Sequence, residues 1–165
     1  MADPKPIKMT VKFPSALPAY LDSEKSRDIV HRNIMRTMQG AVQIIHGEVV
    51  QNTPFSFGIL RLSMTGEVLN DSNSIIGRIS TPSIYGAAVE FGTRPHWVPI
   101  EPLKLWARRK LGDESIAYAV QRKIARVGTK GAFMFKRSFN NTKGRVRKLF
   151  ANASAAMLRD LKGRK

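Results

Sequence analysis

The sequence predicts an α+β fold: a small antiparallel sheet packed against a long N-terminal helix and a C-terminal helix, with a helical pair inserted before the last element. Three observations predict it. Period-two alternation opens the chain and returns around residues 60–80. A long apolar stripe at helical spacing covers residues 26–52, and a second covers 141–161. Between them, proline and glycine bracket two shorter helical stripes over residues 99–127.

Taken in order, Ile7, Met9, Val11 and Phe13 alternate with Lys8, Thr10 and Lys12, as in a half-buried strand that Pro14 and Pro18 end. A Ser/Asp/Glu-rich turn follows. Val30, Ile34, Met38, Ala41, Val42, Ile45 and Val49 then share one face of a helix that Thr53-Pro54 closes, because the residue before proline is pushed out of helical geometry. From Leu60 the period changes to two. Leu60, Leu62, Met64 and Val68 fall on one side of a predicted strand, with Arg61, Ser63, Thr65 and Glu67 on the other. Asn70 to Asn73 makes a turn, and Ile75 to Ser80 returns as the partner strand of a hairpin.

After residue 99, Pro102 suits a first helical turn. Leu103, Trp106, Ala107 and Leu111 form a stripe that Gly112 stops. Asp113 can cap the next helix, whose inner face would be Ile116, Val120, Ile124 and Val127, ending at Gly128. The segment from Gly128 to Phe139 reads as a glycine-flanked turn and a short strand through Phe133 and Phe135. The last helix is predicted from about Asn141, with Val146, Leu149, Phe150, Ala153, Met157 and Leu161 inward and the tail from Lys162 frayed.

The 165 residues suit a single domain spanning residues 1–165, and 42% hydrophobic with 24% charged residues is a globular composition. With no cysteine, disulfides, thiolate metal sites and thiol chemistry are excluded. The lysines of the N-terminus precede no apolar h-region, and no run reaches the roughly 18 apolar residues of a membrane span. A soluble protein without a cleavable export signal is expected, with no membrane partner.

Charge is distributed unevenly. Residues 1–93 carry nine Lys/Arg against eight Asp/Glu, whereas residues 94–165 carry nineteen against four, so nearly all of the net +16 lies in the second half. Such a field favours an anionic partner, either nucleic acid or an acidic protein face; a basic surface that only aids solubility is the alternative. The outward residues of the predicted helices that would meet this partner are Lys104, Arg108, Arg109, Arg122, Lys123, Arg126, Lys143, Arg145, Arg147 and Lys148.

The boundary between the halves is the most informative segment, YGAAVEFGTRPHW, from Tyr85 to Trp97. Ala87, Ala88, Val89 and Phe91 suit a short packed element, and Gly92 can end it in a conformation other residues avoid. Glu90 is an acid inside this apolar run and needs a partner, of which Arg94 is the nearest. A local salt link at a turn and a subunit contact both satisfy the pattern; for the second, the candidates are Glu90, Arg94, His96 and Trp97.

No catalytic constellation is recognisable. His31 and His46, on one helix, stand about 22 Å apart at 1.5 Å per residue, too far to share an ion. His96 lies in a loop, and neither HExxH nor paired carboxylates accompany any of the three. Gly128-Thr129-Lys130-Gly131 lacks the Ser or Thr that a phosphate loop places after its lysine, and no GxSxG elbow occurs. No enzyme activity, cofactor or metal is expected.

Three segments in order, TPFSFGILRLSM from Thr53, YGAAVEFGTRPHWVP from Tyr85 and GTKGAFMFKRSF from Gly128, resemble the neck or tail-completion proteins of tailed bacteriophages. That family pattern is a long helix, Pro-x-(Asp-Thr)-Gly-x-Leu-Arg-x-Ser, a strand pair, Tyr-Ala-x-x-Val-Glu-Phe-Gly-Thr, and a Phe-containing apolar element leading into a C-terminal helix. Gly58, Leu60, Arg61 and Ser63 match the first motif, although Ser56-Phe57 replaces its Asp-Thr. Tyr85, Val89, Glu90, Phe91, Gly92 and Thr93 match the second. On this resemblance residues 30–99 and 128–161 form the family-like core and residues 99–127 a helical insertion.

The resemblance implies a virion structural protein, assembled in the host cytoplasm into a ring at the head-to-tail junction, with six subunits matching the tail's symmetry. Its neighbours would be head-connector or head-closure proteins on one side and tail-terminator or tail-tube proteins on the other, with packaged DNA in the channel. Trp97 and Trp106 would anchor subunit contacts, Trp106 serving equally well in the core. Two alternatives stand beside it: a tail-terminator or head-closure protein of the same junction, and a free basic nucleic-acid-binding module. Against the last, aromatic and basic residues are not interleaved as a stacking platform requires, and no helix-turn-helix pattern appears.

Overall fold

The computed structural model describes residues 7–11 as backbone, and residues 24–55, 58–71 and 74–162. In chain order the elements are β1 (Ile7–Val11), α1 (Glu24–Asn52), α2 (Ile59–Leu62), β2 (Thr65–Asp71), β3 (Ser74–Ser80), α3 (Tyr85–Phe91), β4 (Gly92–Thr93), α4 (Ile100–Leu111), α5 (Ile116–Val127), β5 (Thr129–Lys130) and α6 (Met134–Lys162). The expected α+β architecture is present. The prolines expected to end the first strand, the Ser/Asp/Glu-rich turn after them, Ser56-Phe57, Ser72-Asn73 and the tail after Lys162 lie outside the described residues.

Two helices of 29 residues, each about 43 Å long at 1.5 Å per residue, form the frame. They run antiparallel. Asn52 donates to Ser138 Oγ at 2.9 Å, Glu48 accepts from Asn141 at 3.0 Å, and Gly40 lies beside Leu149. At the far end Val30, Ile34 and Met38 meet Phe150, Met157 and Leu161. The predicted α1 stripe is the core: Val30, Ile34, Met38, Ala41, Val42, Ile45 and Val49 are all buried.

The sheet has the order β1-β3-β2, antiparallel throughout, with Ile7 opposite Ile79 and Gly66 opposite Ile79 on the other side. Ile75, Gly77 and Ile79 of β3 turn toward the helices, as the predicted alternation requires. Gly66 is needed here, because a Cβ on it would stand 2.8 Å from Val42 Cγ1. Glycine lets β2 lie on α1. The helical pair α4 and α5 packs chiefly on itself. Gly112, at φ 77°, closes α4, and Asp113 accepts the Ser115 N–H just before α5.

Several expectations need correction. The strand predicted from Leu60 begins only at Thr65; residues 59–62 form a helical turn entered through Gly58 at φ 79°, with the Leu62 N–H returning to the Gly58 carbonyl. Leu62 is therefore 87% exposed and not on the inner face, whereas Met64 does point inward. The strand through Phe133 and Phe135 is the start of α6, seven residues before the predicted start at Asn141. Its inward positions there are Met134, Phe135, Ser138 and Thr142, and the two hydroxyls disguise the helical period. Both donate to the carbonyl four residues earlier, which makes them self-sufficient when buried. Leu111 and Val127 are exposed, because α4 and α5 cover each other only in part.

Candidate functional site

The C-terminus of α1 and the N-terminus of α6 lie side by side, so one end of the frame gathers unpaired carbonyls next to unpaired N–H groups. Two charged residues, one from each motif, answer these needs. Arg61 donates through Nε to the Thr53 carbonyl at 2.7 Å and through Nη2 to the Gln51 carbonyl at 3.3 Å. The last turn of α1 contains no basic residue, so the cation favoured at a helix C-terminus comes from α2 instead. Gly58 sets this geometry by its left-handed φ. Leu60 packs on the core, and Ser63 bonds to Thr81 Oγ1 at 2.7 Å, fixing α2 beside the start of α3.

Glu90 serves the other helix. Its carboxylate accepts the Phe135 N–H at 2.9 Å and the Lys136 N–H at 3.2 Å, and its backbone carbonyl accepts the Phe133 N–H at 3.1 Å. It is an N-terminal cap supplied from α3, placed where negative charge is favoured. The expected salt link to Arg94 is therefore replaced by backbone N–H groups. At 3% exposure, with both oxygens engaged, Glu90 is withdrawn from the candidate subunit contact.

Around Glu90 the chain makes a clasp. β4 pairs with β5, placing Gly92 opposite Lys130 and Thr93 opposite Thr129, and the two threonine hydroxyls meet at 3.0 Å. Ala132 N–H bonds to the Val89 carbonyl at 2.8 Å. Three glycines permit this approach: a Cβ on Gly92 would land on the Thr129 carbonyl, one on Gly128 on the Thr93 carbonyl, and one on Gly131 on the Glu90 carbonyl. The second and third resembling segments are thus one structural unit.

The clasp leaves α3 inverted. Its buried positions are Gly86 and Glu90, while Ile84, Ala87 and Phe91 form an outward stripe, Ile84 and Phe91 being 81% and 71% exposed. Leu62 and Tyr85, on the neighbouring α2 and at the start of α3, also contribute exposed apolar surface. Phe133 adds to it at an energetic cost, since its φ of 51° is a left-handed conformation that a bulky side chain avoids.

Arg94, His96 and Trp97 follow the clasp on an exposed strap. The His96 N–H reaches the Ile124 carbonyl at 3.4 Å, and Gln121 donates to the Val98 carbonyl at 2.7 Å, tying the strap to α5. Trp97 stands 70% exposed, whereas Trp106 is half-buried.

The basic candidates divide into two groups. Lys104 is paired with Glu101 at 3.0 Å, Arg108 with Glu114, and Arg145 with Glu48 at 2.9 Å. The hydrogen bond that Lys104 donates to Glu101 raises the Lys104 pKa above the ordinary lysine value, aided by the Glu101 charge. Arg122 leans on the Tyr118 carbonyl at 3.5 Å, and Arg109 is also engaged within the chain. Among the described residues no carboxylate lies within ion-pair distance of Lys123, Arg126, Lys143, Arg147 or Lys148. Sequence reasoning missed both the Arg61 cap and the ion pairs of Lys104, Arg108 and Arg145. The missing basic residue at the end of α1 was the available signal for the first.

No helix among the described residues is long and apolar enough to cross a membrane, and no three of their His, Asp and Glu side chains converge to hold a metal. Compared with known proteins, the chain matches no protein-family model, no curated protein and no solved structure.

Proposed function

We propose that the chain is a structural protein of a tailed phage, a neck or tail-completion component that closes into a hexameric ring joining the head connector to the tail. The observation that carries this reading is the inverted α3. An acid is spent internally to cap α6, while Ile84, Ala87 and Phe91 are left facing solvent. Contiguous apolar surface of this kind marks a protein contact. It belongs to the near-neutral half, so a second copy meets it without the repulsion that the +15 half would impose. Arg94, His96 and Trp97, on the neighbouring strap, extend the same subunit contact.

On this reading the motif residues work as architecture and not as catalysts. Gly58, Arg61 and Ser63 fix the end of α1, and Glu90 with Gly92 fixes the start of α6. The protein acts in the virion after assembly in the host cytoplasm, between head-closure and tail-terminator or tail-tube neighbours, and needs no cofactor. Native mass spectrometry of the purified chain tests the contact. Closed oligomers in the wild type that Ile84→Asp with Phe91→Asp reduce to folded monomers are expected; oligomers unaffected by both substitutions would rule this surface out.

A further inference from the structure

The outer face of α6 carries an unexplained concentration of cations. Lys136, Arg137, Lys143, Arg145, Arg147 and Lys148 fall within about 18 Å of helix, and no acid occurs between Met134 and Arg159. Glu48, the nearby carboxylate on α1, is already occupied by Asn52, Asn141 and Arg145. The other five cations have no carboxylate within reach among the described residues. All are exposed, and the antiparallel contact with α1 holds them on a rigid track.

At 3.6 residues per turn, Asn140, Gly144 and Ala151 run down the middle of this face. Lys136, Lys143 and Arg147 line one edge, and Arg137 and Lys148 the other. Gly144 has no internal reason to be glycine: φ is ordinary, and a Cβ there would meet nothing within 4 Å. An exposed helical glycine costs about 1 kcal/mol relative to alanine. What it provides is a shallow floor between two cationic rows, where a partner can approach the helix closely.

We infer that this face binds the phosphate backbone of duplex DNA, with Lys136, Arg137, Lys143, Arg147 and Lys148 as the phosphate contacts and Gly144 as the point of closest approach. A folded acidic protein would need an apolar anchor at the centre of its contact, and this face offers only small residues there. Phosphate contacts need none. Between Lys143 and Lys148 the face carries no aromatic side chain for stacking and no long amide for reading base edges, so binding is independent of sequence; at its N-terminal end Lys136 lies over the Phe133 ring, 5.7 Å from the centroid. It requires no ring, and its failure is separable from failure of the proposed assembly.

The test is fluorescence anisotropy of the full chain with two 24-base-pair duplexes of unrelated sequence, alongside native mass spectrometry of the same samples. With four or five phosphate contacts, affinity for both duplexes falls by about a hundredfold or more between 50 and 200 mM salt. Combining Lys143→Gln, Arg147→Gln and Lys148→Gln lowers the log–log salt slope by about 3, because each lost phosphate contact removes roughly 0.9. Lys104→Gln with Arg108→Gln, which removes paired cations from α4, leaves the slope unchanged. Gly144→Gln preserves or raises thermal stability yet weakens binding severalfold, an outcome a purely structural glycine would not give. Wild-type binding by the triple variant overturns the inference, as does equal binding of polyglutamate, which would mark an acidic protein as the partner. A monomer that binds duplex with this slope sinks the ring and leaves this inference standing; a ring that does not bind has the reverse effect.

Discussion

Three backbone N–H groups at the start of α6 end on Glu90: Phe133 on its carbonyl oxygen, Phe135 and Lys136 on its carboxylate. Glu90→Ala strands one buried and one part-buried donor and is expected to cost about 1–3 kcal/mol of stability, read by urea denaturation. Glu90→Gln keeps one acceptor and should lose less. Equal stability in all three proteins would contradict the cap. Phe133 makes the opposite prediction. Its left-handed φ favours Asn or Gly, so Phe133→Gly is expected to hold or raise stability while weakening self-association. A large stability loss would instead make the aromatic ring part of the core.

At the scale of elements, the clasp and the long helix pair are separately testable. Gly92→Ala, Gly128→Ala and Gly131→Ala each press a methyl onto a backbone carbonyl and should cost a few kcal/mol, whereas Gly47→Ala, with nothing within 4 Å, should not. In the helix pair, hydrogen bonds from Asn141 and then Asn52, together with the Arg145 charge, hold the Glu48 carboxyl below the ordinary glutamate range, against the opposing effect of burial. A lowered folded-state pKa stabilises above the unfolded value and loses that contribution as pH falls through the folded one. The melting-temperature gap between wild type and Glu48→Gln is therefore expected at neutral pH and should close below the glutamate range. A gap independent of pH would exclude the carboxylate as its source.

Elements were legible where burial alone shaped the sequence. The α1 stripe and the return strand β3 stand where their periodicity predicts, and α4 and α5 occupy the predicted stretch, although Leu111 and Val127 of their stripes are exposed. Legibility failed where polar groups satisfy one another inside. Ser138 and Thr142 bond to their own helix and hide the first turns of α6, and Gly58 turns an apparent period of two at Leu60 into a helical turn. Glu90 stood out in the sequence because an acid in an apolar run demands a partner. That partner is a helix end contributed by residues more than forty positions away, which local spacing cannot reveal.

The whole molecule carries two surfaces of different character, which adjoin where Lys136 lies over the Phe133 ring. The capped end presents the outward stripe of α3, apolar and near-neutral, while the outer face of α6 presents cations without acids. A ring component needs surfaces of both kinds, one to meet copies of itself and one to meet another partner. The proposed ring puts the first between subunits, and the inferred phosphate contact puts the second against DNA in the junction. A symmetry-resolved electron-microscopy reconstruction of assembled phage particles tests this most directly. The expected result is a ring of this chain at the head-to-tail junction, with the α3 stripe buried between neighbouring copies; complete particles whose junction lacks the chain would contradict the proposed function.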